Sequence, residues 1–165
     1  MIGGQVVTFT QAGFGSQPAF GSFDTPEEGL TGITGALPVT GWALDDVGVT
    51  RVRIFRDAVS GEAADQVYLG DATLVDGARP DVQAIYPSFP FASRAGWGYH
   101  LLTNLLPGGG NGTYRVHAYA DDVDGHTTLL GSRTFTAANS TATLPFGTLD
   151  TPGQGETVSG TIIIW

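Results

Sequence analysis

Two stretches of the chain alternate apolar and polar side chains with the period of a β-strand. Over residues 49–56, Val52 and Ile54 oppose Arg51 and Arg53; over 113–120, Tyr114, Val116 and Ala118 oppose Arg115, His117 and Tyr119. A period of two sends alternate side chains to opposite faces of a sheet, so each stretch predicts a half-buried strand. Further strands are expected over residues 37–44, 66–69, 98–104 and 129–136. Turns rich in glycine and aspartate at 46–48, 107–112 and 122–125 separate them. No segment carries the apolar stripe of a long helix. Short strands between frequent turns predict an all-β, antiparallel sandwich, with Trp42, Val52, Ile54, Tyr114 and Val116 expected to bridge its two sheets.

The chain also repeats itself. Residues 8–26 align without gaps onto 134–152, an offset of 126, with nine of 19 positions identical. With one deletion the match runs on to Trp165, which falls opposite Thr40. The expected organisation is therefore a terminal piece of a preceding module over 1–16, a complete unit over 17–143, and the start of a following repeat over 144–165. Inside the unit, residues 75–95 form an insertion too long for a simple turn. Loops of that length usually carry function or pack as a lid.

Trp42-Ala43-Leu44-Asp45-Asp46-Val47-Gly48-Val49, followed by Val52-Arg53-Ile54-Phe55, resembles the passage from the second to the third strand of bacterial immunoglobulin-like (Ig-like) repeats. Tyr114 to Ala120, Asp121-Asp122-Val123-Asp124-Gly125-His126 and Ser132 to Thr136 resemble the last hairpin of the same repeats. The segment from Ile2 to Gly13 is similar to the final strands of BACON-type β-domains. These resemblances imply an Ig-like fold and a bacterial, secreted or cell-surface setting among neighbouring β-modules.

Composition narrows the chemistry. Sixteen acidic side chains against seven basic ones give a net charge of −9. A chain this acidic repels the phosphate backbone, which excludes nucleic acid as a partner. All seven basic residues are arginine, and lysine and cysteine are absent. Schiff-base, thiol and disulfide chemistry are excluded with them. No apolar run approaches the ~20 residues of a membrane-spanning helix, and the first residues lack the positive n-region of a signal peptide.

Three constellations remain. In an Ig-like sandwich the two aspartate turns share one end, which would gather Asp45, Asp46, Asp121, Asp122 and Asp124 as ligands for Ca²⁺. The simpler expectation is that each accepts backbone N–H groups in its own turn. His126, beside Asp122 and Asp124, could act as a general base in a Ca²⁺-assisted hydrolase of small esters or lactones. No nucleophile elbow or zinc-protease motif supports that activity, so the chain reads as a non-catalytic module first. The insertion supplies a third candidate: Tyr86, Phe89, Phe91, Trp97 and Tyr99 with Arg79 and Arg94 could stack on sugar rings as a carbohydrate-binding face. Its simpler alternative is an auxiliary core. His100 and His117 read as structural, and Arg51, Arg53, Arg115 and Arg133 as outward strand residues. The apolar tail 161–165 suggests strand addition to a neighbour or to another copy, giving a homo-oligomer.

Overall fold

The computed structural model describes residues 15–142 and 155–161. The terminal pieces assigned to neighbouring modules, and the apolar tail, fall largely outside those residues. Among the described residues eight strands build the fold: β1 (Phe20–Thr25), β2 (Leu30–Ile33), β3 (Ala36–Leu44), β4 (Val49–Asp57), β5 (Gln66–Val75), β6 (Gly96–Leu102), β7 (Asn111–Asp122) and β8 (Thr127–Ala138). They hydrogen-bond in the order β1-β3-β6-β5-β4-β7-β8-β2. The order folds into two layers because β5 serves both: its Gln66 to Ala72 portion pairs with β4, and Thr73 to Val75 pairs with β6. One layer is then β1-β3-β6, the other β4-β7-β8-β2, as in Ig-like sandwiches.

The tyrosine at the start of β7 adds a further mark of that fold. Tyr114 is buried, and its O–H donates to the carbonyl of Pro107, seven residues upstream. The strands are antiparallel except at one edge, where β2 runs parallel to β8, with Leu30 opposite Phe135 and Ile33 opposite Ala137. The antiparallel expectation is corrected there.

Val52 and Ile54 of β4 and Val116 and Ala118 of β7 lie fully buried against Phe23, Val39, Trp97 and Phe135 in the main core. Trp42 does not join them. On β3 the inner positions are Leu37, Val39, Gly41 and Ala43, which leaves Trp42 and Leu44 on the outer face. The insertion covers that face as a third layer. It contains a short helix, α1 (Pro80–Ile85), and a 3₁₀ turn at Ala92–Arg94. Val82, Ala92 and Ala95 pack with Leu44, Trp42 and Phe20 in a second, smaller core. Arg79 ties the layer down, donating to Asp24 Oδ2 at 2.6 Å and to Asp81 Oδ2 at 2.7 Å.

Arg133 also departs from expectation. It stands opposite Val116, an inward residue, and its guanidinium donates to the Phe23 carbonyl while lying over the Phe23 ring. A bulge in the β7–β8 pairing between Ala118 and Tyr119 shifts the alternation of β8 by one residue.

Candidate functional site

The turn between β3 and β4 and the turn between β7 and β8 do meet at one end, where the Val123 N–H donates to the Gly48 carbonyl at 3.1 Å. Their carboxylates are nevertheless engaged separately. Asp45 is 1% exposed, and its Oδ1 accepts the N–H groups of Val47 (2.8 Å) and Gly48 (2.7 Å). Asp46 Oδ2 accepts the N–H of Gln17 at 3.3 Å, where the chain enters the sandwich. Asp122 repeats the Asp45 design: Oδ1 accepts the His126 N–H at 2.8 Å, and Oδ2 bonds His126 Nδ1 at 2.7 Å. Burial alone would raise Asp122, yet the His126 backbone and ring together hold it below the usual carboxylate range.

Asp121, one residue earlier on β7, faces the opposite way. Its carboxylate accepts Arg51 Nε, Arg53 Nε and Nη2, and Thr127 Oγ1, each at 2.7 Å. Burial is its largest single influence and would raise it, but these donors together hold it low. Four of the five aspartates therefore divide among turn formation, chain entry and an arginine clamp. Among the described residues no three or more carboxylates or imidazoles are grouped so as to hold a metal ion. Two oxygens at this pole, Asp45 Oδ2 and Asp124 Oδ2, are buried without a hydrogen-bond partner.

The residues proposed to stack on sugars do not share a surface. Tyr86 and Phe89 pack edge-to-face with Phe20 at 5.3 Å in the second core. Trp97 lies in the main core, 5.6 Å from the Phe23 ring, and Tyr99 packs against that core with its O–H donating to Leu69 at 2.9 Å. Arg94 and Phe91 border a recess of only about 60 Å³ beside Leu44 and Val49. A larger hollow of about 310 Å³ lies where Gly96 and Gly98 leave the outer face of β6 bare, walled by Thr40, Val75 and Arg79.

The structure also aligns a set of residues that spacing along the chain conceals. On the outer face of the β4-β7-β8 layer, His117 Nε2 lies 2.7 Å from Asp57 Oδ1, and His117 Nδ1 lies 2.7 Å from Ser132 Oγ. A carboxylate can only accept, so Nε2–H donates to Asp57, and in the neutral imidazole Nδ1 then accepts the serine O–H. This is the hydrogen-bond order of a serine hydrolase relay with the two ring nitrogens exchanged. Cross-strand register creates it: Phe55 stands opposite His117, and His117 opposite Ser132. Catalysis would also need oxyanion donors and a substrate cleft. Ser132 instead sits in regular antiparallel pairing, and the recesses described above lie elsewhere.

The fold is an Ig-like β-sandwich. No protein-family model matches the sequence, and no curated protein does. Among solved structures, the chain is similar to fibronectin(III)-like modules of Clostridium thermocellum CbhA, at 16% identity and a TM-score of 0.46. That likeness covers 79% of this chain and 52% of the other, so the chain spans about half the length of its match. A Niemann-Pick type C2 protein from the Japanese carpenter ant aligns over 79% of this chain and all of its own, at 12% identity and a TM-score of 0.41. No helix among the described residues is long and apolar enough to cross a membrane.

Proposed function

We propose that the chain is a non-catalytic Ig-like module, a structural, adhesion or scaffold element of a multi-domain protein at or outside the bacterial surface. The observation that carries this reading is the engagement of the candidate chemical groups by the fold itself. Asp45 and Asp122 close turns, Asp121 clamps two arginines, and the aromatic side chains of the insertion fill a core. The likeness of the two aspartate turns to bacterial surface repeats supports the setting.

The test is direct. The full chain is exposed to a fluorophosphonate probe and assayed on p-nitrophenyl esters and acyl lactones. No labelling and no turnover above buffer are expected. Labelling abolished by Ser132→Ala, or turnover abolished by Asp124→Ala, would overturn the non-catalytic reading.

The two buried, unpartnered oxygens favour a second reading of the same module, a hard cation held by Asp45 and Asp124 with water completing its shell. Binding to the folded state alone raises stability with ligand concentration. This reading expects a melting temperature several degrees higher in millimolar Ca²⁺ than in EDTA, with saturation. Equal melting temperatures would remove it.

A further inference from the structure

We propose that consecutive units of this protein pack end to end, the Leu102/Leu105 surface of one seated on the Phe91/Val123 surface of the next. The proposal rests on the reading of the chain as a repeated module and names that module's partner, the adjacent copy.

What repeats in the sequence is a junction. Thr134–Thr136 lies on β8, the last strand, and Phe20–Thr25 is β1, the first. Residues 8–10 therefore match the sequence of β8, and residues 146–151 match that of β1. Within the described unit the chain enters at the aspartate-turn pole, where Gln17 bonds Asp46, and leaves at the opposite pole. There Asn139 accepts the Gly35 N–H at 2.7 Å and donates to the Gly110 carbonyl at 2.8 Å. By the offset of 126, the counterpart of Phe20 is Phe146, eight residues after the end of β8 at Ala138. Eight residues reach at most about 28 Å. The exit pole of one unit must therefore face the entry pole of the next at short range.

Each of these poles presents exposed apolar side chains. At the entry pole Phe91 is 64% exposed and Val123 60%, and both lie against Gly48. Phe91 is also the only non-glycine among the described residues with positive φ, at 55°, a costly conformation for a bulky side chain. At the exit pole Leu105 is 75% exposed, and with Leu102 it borders a cavity of about 200 Å³. Exposed apolar side chains that stand together, rather than singly, mark candidate interaction surfaces.

Charge selects the pairing. The entry pole carries Asp45, Asp46 and Asp124, so two entry poles repel. The segments around the exit, 30–38, 102–114 and 134–142, contain no charged residue at all. The acids at that end, Asp57, Glu62 and Asp65, sit at the end of β4 and on its turn to β5, two strands away from β8. An acidic pole therefore meets a neutral one rich in asparagine and glycine, and the polarity of the chain sets the order.

The repeat register supplies the test protein. Because Trp165 falls opposite Thr40, the full chain followed directly by a second copy of residues 41–165 completes the next unit. The chain has no cysteine of its own, so introduced thiols read out cleanly. Leu105→Cys in the first unit and Phe91→Cys in the second are expected to form an intrachain disulfide under mild oxidation. The rate should exceed at least tenfold that of a control with Tyr68→Cys in place of Leu105→Cys. Small-angle scattering of the unsubstituted two-unit chain should show one rod-like particle. Cross-linking no faster than the control, or a broad spread of inter-unit distances, would overturn the packing. Probe labelling or ester turnover would instead overturn the module reading, so the two failures are distinguishable.

Discussion

Trp97→Ala is expected to destabilise the protein by about 3–5 kcal/mol, the range for deleting a large aromatic side chain from a packed core. Trp97 is 3% exposed, and a Cβ built on Gly41 would lie 2.5 Å from its ring. Gly41 is therefore the floor on which the indole rests. Removing the ring opens a void between the two sheets over Gly41, which has no side chain to fill it, so little of the loss can be recovered by collapse. Trp97→Phe should behave differently. The indole Nε1 is buried without an acceptor, and an orphan donor costs about 1–3 kcal/mol. Phenylalanine keeps most of the apolar contact while deleting that donor, so a net loss below about 1.5 kcal/mol is expected. Urea midpoints at constant m-value measure both variants. A sugar-stacking role for Trp97 predicts the reverse, with Trp97→Ala stable but unable to bind; that result would return the residue to the surface.

The sandwich was legible where alternation was strong. Val52, Ile54, Tyr114 and Val116 were readable as inward because arginines and His117 occupied the other parity, and all four are buried. Trp42 lies on the outer face for a physical reason. Inner positions of β3 are small at Gly41 and Ala43 to admit Trp97, while the large residues stand on the outer parity. An aromatic on the apparent solvent face signalled a third layer, and the insertion was its cover. Short β1 and β2, rich in glycine and threonine, carry too little alternation to announce themselves. The inward turn of Arg133 depends on a bulge, which reverses every later side chain and has no local signature. The Ser132–His117–Asp57 relay was illegible because only cross-strand register joins its members. The aspartate turns were legible as turns; the opposite facing of neighbours Asp121 and Asp122 needed the end of β7 to be located.

Asp121→Ala should cost about 2–3 kcal/mol near pH 7. Breaking a buried ion pair costs about 3–5 kcal/mol, and partial exposure of the arginines, 54% for Arg51 and 24% for Arg53, reduces it through solvent screening. Two guanidiniums left without their shared carboxylate also repel each other. Asp121→Asn keeps an acceptor and should cost less. The decisive feature is the pH dependence. The donors around Asp121 hold its folded-state pKa below the unfolded value of about 3.9. Its stabilisation is therefore complete above that value and disappears as pH falls through the lower folded one. The stability difference between wild type and Asp121→Asn should stay constant from pH 7 to about 5, then shrink toward pH 2. Wild-type stability itself should keep falling in acid, because Asp122 is also lowered and Arg56 and Arg79 hold Glu62 and Asp81 at about 2. Urea titrations at stepped pH provide the measurement. A difference independent of pH would mean that Asp121 acts through shape alone and that the clamp contributes no charge interaction to the fold.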